Sequence, residues 1–167
     1  MSLPDTSNGY ALGPDDGQPR WFNGALILVK ATAEQTNGRF AAIEFRAPKG
    51  FAAPLHKHRD DDEFFLVLEG NVRFQLDETV TEGVPGSLVY GPRGVSHSFH
   101  VDSPQARLLL FFGPAGVEGF FRDASKPAQS LGLPPIDEPF PDRQALMEIA
   151  GRYGQTFVGP PLPPQGS

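Results

Sequence analysis

The chain has 167 residues, with 20 acidic against 14 basic side chains, a net charge of −6 and no cysteine. That length suits one domain, able to bury roughly 70% of its unfolded surface in a single core. The lack of cysteine excludes disulfides and thiolate ligands and leaves nitrogen and oxygen donors for any metal. No basic cluster could neutralise a phosphate backbone, so nucleic acid is not an expected partner.

The first residues carry neither a basic region nor an apolar stretch. The expectation is a cytoplasmic protein without a signal segment or membrane association, and residues 1–17 read as a flexible tail. Gly and Pro number 19 and 18 and punctuate short apolar runs, which implies many strands joined by turns. Strands are expected over 20–22 and 26–32 around Asn23-Gly24, and over 39–47 after Asn37-Gly38, with both Asn-Gly pairs read as tight hairpin turns. Further strands follow at 63–69, 71–77, 86–90, 97–101 and 106–112. The run Phe64 to Leu68 reads as a strand buried on both faces.

With no long helix between them, these strands should pair mostly antiparallel. The fold class is therefore all-β, a double-stranded β-helix (jelly-roll) barrel over 18–113 with a short helical, Pro-rich C-terminal extension over 114–167. In that extension 116–124 reads as a short helix, 127–141 as a Pro-rich crossing and 142–153 as a second helix. Asp142 is its expected N-cap and Gly154 its stop. Its stripe of Ala145, Leu146, Ile149, Ala150 and Tyr153 should pack outside the barrel or on a partner. Residues 160–167 are expected to be poorly ordered.

Three of the four histidines fall in one spaced pattern. Gly50, His56, His58, Glu63 and Gly70 form a first cluster, and Gly86, Pro92, Gly94 and His97 a second. His56 and His58 are two apart, so on a strand they share a face about 7 Å apart and can converge on one ion. Glu63 opens the next strand, and His97 follows the turn Pro92-Arg93-Gly94. Asp60 to Asp62 read as a solvated charge run. His100, three residues from His97, points to the other face and is taken as structural or solvated.

Both clusters resemble the two sequence motifs of the cupin superfamily, with Val101 standing where the second motif ends in Asn. Leu108 to Phe112, Gly113 to Gly116, Phe120-Phe121, Arg152 to Gly154 and Gly159 to Pro161 resemble small single-domain cupins described as quercetin-dioxygenase-like. The resemblance implies the jelly-roll barrel, and His56, His58, Glu63 and His97 as ligands of one divalent transition metal: Fe, Mn, Ni or Co, with Zn possible in isolated protein. Three imidazoles and one carboxylate leave positions open on a six-coordinate ion.

The quercetinase-like resemblance implies dioxygenation of a flavonol-type or other enol or phenolic small molecule, with Glu63 as the catalytic proton acceptor. Strand alternation places Phe65 and Phe99 on the faces of Glu63 and His97, and Tyr90 is expected at the mouth, so these three are the candidate substrate pocket. A non-catalytic, metal-containing binding cupin is the alternative. A sugar or small-acid isomerase ranks third, because such substrates would call for Arg or Lys inside the barrel. Edge strands and the stripe on 142–153 suggest a homodimer.

Overall fold

Alternation with period two runs through most of the chain, and in the computed structural model it becomes strands. Residues 9–166 are described, so Met1 to Asn8 of the expected tail lie outside the described residues, as does Ser167. β1 (Gln18–Phe22) and β2 (Ala25–Ala31) form a hairpin through Asn23-Gly24, where both residues take positive φ. A single-turn helix α1 (Ala33–Thr36) leads to β3 (Ala41–Pro48). The motif region supplies β4 (Leu55–His58), β5 (Asp62–Glu69), β6 (Val72–Leu76), β7 (Thr79–Gly83), β8 (Leu88–Gly91) and β9 (His97–Val101). β10 (Gln105–Gly113) completes the barrel. The extension adds α2 (Glu118–Asp123), the two-residue β11 (Lys126–Pro127), α3 (Arg143–Arg152) and β12 (Gln155–Gly159).

The strands form two antiparallel sheets facing each other. One has the order β11-β1-β2-β3-β10-β5-β8, the other β12-β4-β9-β6-β7. The architecture is the expected jelly roll. Ile43, Phe45, Phe65, Val67, Leu108 and Leu110 of the first sheet meet Val72, Phe74, Phe99 and Val101 of the second in one core. Val101, in place of Asn, is fully buried there, and its backbone still bonds Gly50 N and Phe51 O. Gly70 is needed where it stands: its φ is +83°, and a Cβ would lie 2.3 Å from Gln105 O. No helix among the described residues is long and apolar enough to cross a membrane.

Several expectations need correction. Asn37-Gly38 is not a hairpin turn; Asn37, at φ 53°, is the left-handed C-cap of α1, whose N-terminus carries a Thr32/Gln35 capping box. β5 is not buried on both faces: Phe65 and Val67 point into the core, while Phe64 and Leu68 are exposed, their face of the strand left uncovered by the described residues. Residues 10–16 are tied to the sheet. Tyr10 Oη donates to Lys30 O, Lys30 Nζ donates to Pro14 O and Asp16 O, and Asp15 pairs with Arg46. Near the other end, Leu162 is buried and Pro163 O accepts from Arg73. α3 does not merely lie outside the barrel. Its Leu146, Ile149 and Ala150 join the core, with Asp142 accepting from Ala145 N at 2.9 Å as N-cap.

Leu108 has no exposed surface. Leu108→Ala should therefore destabilise the fold by about 2–5 kcal/mol, read by denaturant unfolding.

Candidate metal centre

The site is assembled from both sheets. β4 presents His56 and His58 on its inner face, and His97 of β9 stands in register opposite His56. Glu63 comes from β5, across the barrel, where it pairs with Gly91 of β8 on one side and Phe112 of β10 on the other. A side chain at Gly91 would crowd the site: its Cβ would lie 3.0 Å from His97 Nδ1. The imidazole centroids are 4.6 to 5.2 Å apart, and one donor atom from each of the four residues lies within 4.8 Å of all the others. His58, His97 and Glu63 are each at most 3% exposed.

Each imidazole has its Nδ1 anchored. His56 Nδ1 lies 2.8 Å from Pro54 O, His97 Nδ1 3.1 Å from Val95 O, and His58 Nδ1 2.6 Å from Asp61 Oδ2. These acceptors favour the proton on Nδ1 and leave Nε2 as the donor atom aimed at the centre. There the Glu63 Oε2 atom sits 2.9 Å from His97 Nε2 and 3.3 Å from His58 Nε2. Buried lone pairs facing a buried carboxylate need positive charge between them. His58 Nε2 finds no aligned hydrogen-bond partner among the described residues. An orphaned imidazole nitrogen, two further imidazoles and a carboxylate fit a divalent ion of borderline hardness.

The electrostatics show what the four groups do without one. Burial works against the charged form of His58, but the carboxylates of Asp61 and Glu63 outweigh it and raise that imidazole to about 9. Burial also pushes Glu63 up, yet the facing His58 and His97 hold it down at about 2. His56, with burial and then the two other imidazoles against its charge, falls to about 3. In the metal-free protein a proton on His58 therefore sets positive charge against Glu63.

Asp61 is the residue the sequence reading missed. Asp60 pairs with exposed Arg59, and Asp62 with Arg93, as solvated charges do. Asp61, in contrast, is 4% exposed and turned inward onto His58. Nothing in a run of three aspartates distinguishes the middle one until the bend between β4 and β5 is known.

A cavity of about 70 Å³ opens beside the cluster. Phe65 and Phe99 line it, together with Phe112, Phe120, Phe121, Leu146 and Phe157. Glu63 is its one acidic residue, and no Lys or Arg contributes. Tyr90 is not part of the wall. On β8, Val89 and Gly91 face inward, so Tyr90 faces out, 46% exposed, with its ring stacked 4.6 Å from that of Phe64. Gln155, unmarked by the sequence, lines the cavity from β12. His100 is buried on the far side of β9 and holds Asp102 at 3.0 Å, a structural role.

The cupin domain family model matches residues 43–112, which span all four clustered residues. The chain belongs to the cupin superfamily. This cupin is 27% identical to a quercetin 2,3-dioxygenase of Bacillus subtilis over 154 residues, covering 89% of the chain and 46% of that enzyme. It thus spans less than half of that relative's length. It is also 36% identical over 100 residues to an uncharacterised Streptomyces coelicolor protein, covering 54% of the chain and 95% of that protein. Among solved structures, KdgF from Halomonas sp. superposes with a TM-score of 0.57 at 16% identity, over 65% of this cupin and 94% of KdgF, a likeness of fold.

Two outcomes follow. Asp61→Asn keeps the shape but removes the charge that orients His58, and should weaken metal affinity about 10- to 100-fold in a competition titration. An ion bound through His58 Nε2 must also expel the proton held there. Since that imidazole is raised from 6.5 to about 9, the proton is present at neutral pH and lost only as pH rises through about 9. Metal affinity should then climb about tenfold per pH unit across that window, with about one proton released per ion, measured by calorimetry in buffers of different ionisation enthalpy.

Proposed function

We propose that this cupin binds one divalent transition metal through His56, His58, Glu63 and His97 and oxygenates a small, uncharged enol or enolisable ketone. The observation that carries this reading is the wall around the cluster, made largely of phenylalanine and free of Lys and Arg. Such a wall favours a neutral, apolar molecule over a sugar phosphate or a polycarboxylate. Likeness to a quercetin 2,3-dioxygenase over most of the chain supports oxygenation.

When bound, the ion supplies Lewis-acid polarisation of a substrate oxygen and a centre able to engage dioxygen. The protein's own groups do the rest. The aromatic walls exclude water from the reacting groups, which strengthens every charge interaction inside. Glu63 is the one carboxylate in the wall, so it is the acceptor for the enol proton, which polarisation of the enol oxygen makes easier to remove. Asp61 and the carbonyls of Pro54 and Val95 keep the three imidazoles oriented.

Size narrows the substrate. A cavity of about 70 Å³ is under half the ~150 Å³ of an engineered cavity that takes benzene. A three-ring flavonol would require Phe120, Phe121 and Leu146 to move aside, so small enols fit better.

Oxygen uptake tests the reading. Fe-, Mn-, Co- and Ni-loaded protein is offered pentane-2,4-dione, small phenols and a flavonol under air. Metal-dependent uptake, stoichiometric with substrate, is expected for a small enol, and Glu63→Gln should lower it about 10²- to 10⁴-fold with metal retained. Binding of these molecules to all four metal forms without uptake would replace the oxygenase with a binding module.

A further inference from the structure

Two carboxamides line the cavity; Asn23 is exposed, and Gln155 is the buried one. It opens β12, outside the segment matched by the family model, and stands in register beside His58 of β4. It is 4% exposed and lines the cavity. Its carboxamide, with two donors and an acceptor, bonds no group among the described residues, and its polar atoms keep a little accessible surface, unlike the fully enclosed His58 Nε2 and Ser98 Oγ. Its neighbours in the wall are largely phenylalanine rings, which offer no partner.

Buried amides are almost always satisfied, because leaving one without a partner forfeits its hydration for nothing. A structural glutamine would be expected to bond a backbone group, as Gln35 does at the start of α1 and Gln75 does with Asp77 O. Were Gln155 only filling space, a Leu or Met would do so without the desolvation penalty. Instead the amide sits on the strand next to the clustered imidazoles and lines a cavity whose remaining wall is largely aromatic. Its unmet hydrogen-bonding capacity is therefore directed at whatever occupies the cavity.

We propose that the Gln155 carboxamide is the polar specificity element of this cavity, hydrogen-bonding an oxygen or N–H of a bound small molecule beside His58. The inference rests on the metal reading above and deepens it. The ligand class it specifies is a small neutral molecule with adjacent polar atoms, one engaging the centre formed by His56, His58, Glu63 and His97 and the next meeting Gln155. A purely apolar ligand would leave the amide unsatisfied, and a bulky one would exceed a cavity of about 70 Å³. Selectivity of this kind comes from the penalty of leaving a buried polar group unpaired when the wrong ligand binds.

Gln155→Met, close in shape and without the amide, tests this by two independent measurements. In the metal-free protein its melting temperature should equal or exceed that of the unsubstituted chain, because no bond within the protein is lost and a largely buried polar group is replaced by an apolar one. A fall of several degrees would mean that the amide holds the fold together, and would overturn the proposal. In Co(II)-loaded protein, followed by its visible spectrum, acetohydroxamate should bind about 5- to 30-fold more weakly to the variant. Azide, which reports only access to the ion, should bind both proteins within about twofold. Unchanged acetohydroxamate affinity with azide binding intact would overturn the role of Gln155 while leaving the metal site standing. Equal losses for both probes would also overturn it, by showing that the substitution disturbs the centre itself. Failure of the unsubstituted protein to take up cobalt would instead bring down the metal reading, and this inference with it.

Discussion

A carboxylate almost without solvent, held against imidazole nitrogens, is the constraint on which the site depends. Glu63 is 3% exposed, and its Oε2 faces Nε2 of both His58 and His97. An ionised group so placed is tolerated only beside compensating positive charge. Without metal, the proton on His58 supplies that charge, with Asp61 behind the ring sharing it. A divalent ion supplies it more fully and relieves the misaligned contact at His58 Nε2. The same four groups thus form a proton-holding cluster or a metal site, and competition between proton and ion couples loading to pH.

The barrel makes this arrangement rigid. Glu63 reaches the histidines only because two sheets face each other, one carrying β5 and the other carrying β4 and β9. The backbone anchors Pro54 O and Val95 O lie within two residues of the strands that carry His56 and His97, and Gly91 leaves the room that His97 fills. The extension then completes the wall: α2 gives Phe120 and Phe121, α3 gives Leu146, and β12 gives Gln155 and Phe157. The two facing sheets supply the centre, whereas the terminal segment shapes the space beside it.

What could be read in the sequence follows the range of the signals. His56 and His58 share a face because strand periodicity is two, a property of three consecutive residues. The positions of Glu63 after a bend and His97 after Pro92-Arg93-Gly94 were equally local. Phe65 and Phe99 followed from Glu63 and His97 by the same alternation. Tyr90 did not, because its face depends on where β8 begins, and placing that start required the pairing of Phe64 with Tyr90. The outward turn of Phe64 and Leu68 was hidden for a related reason: a continuous apolar run looks the same whether or not a layer covers its second face. Gln155 was the least visible, since β12 joins the sheet through pairing with β4 almost a hundred residues earlier in the chain.

Direct observation of the ion tests the central claim most sharply. Protein loaded with one equivalent of Co(II) or Mn(II) and crystallised should show a single anomalous-scattering peak bonded to Nε2 of His56, His58 and His97 and to a carboxylate oxygen of Glu63, with Asp61 still on His58 Nδ1. A fully loaded crystal with the ion elsewhere, or with any of these four side chains turned away from it, would contradict the account.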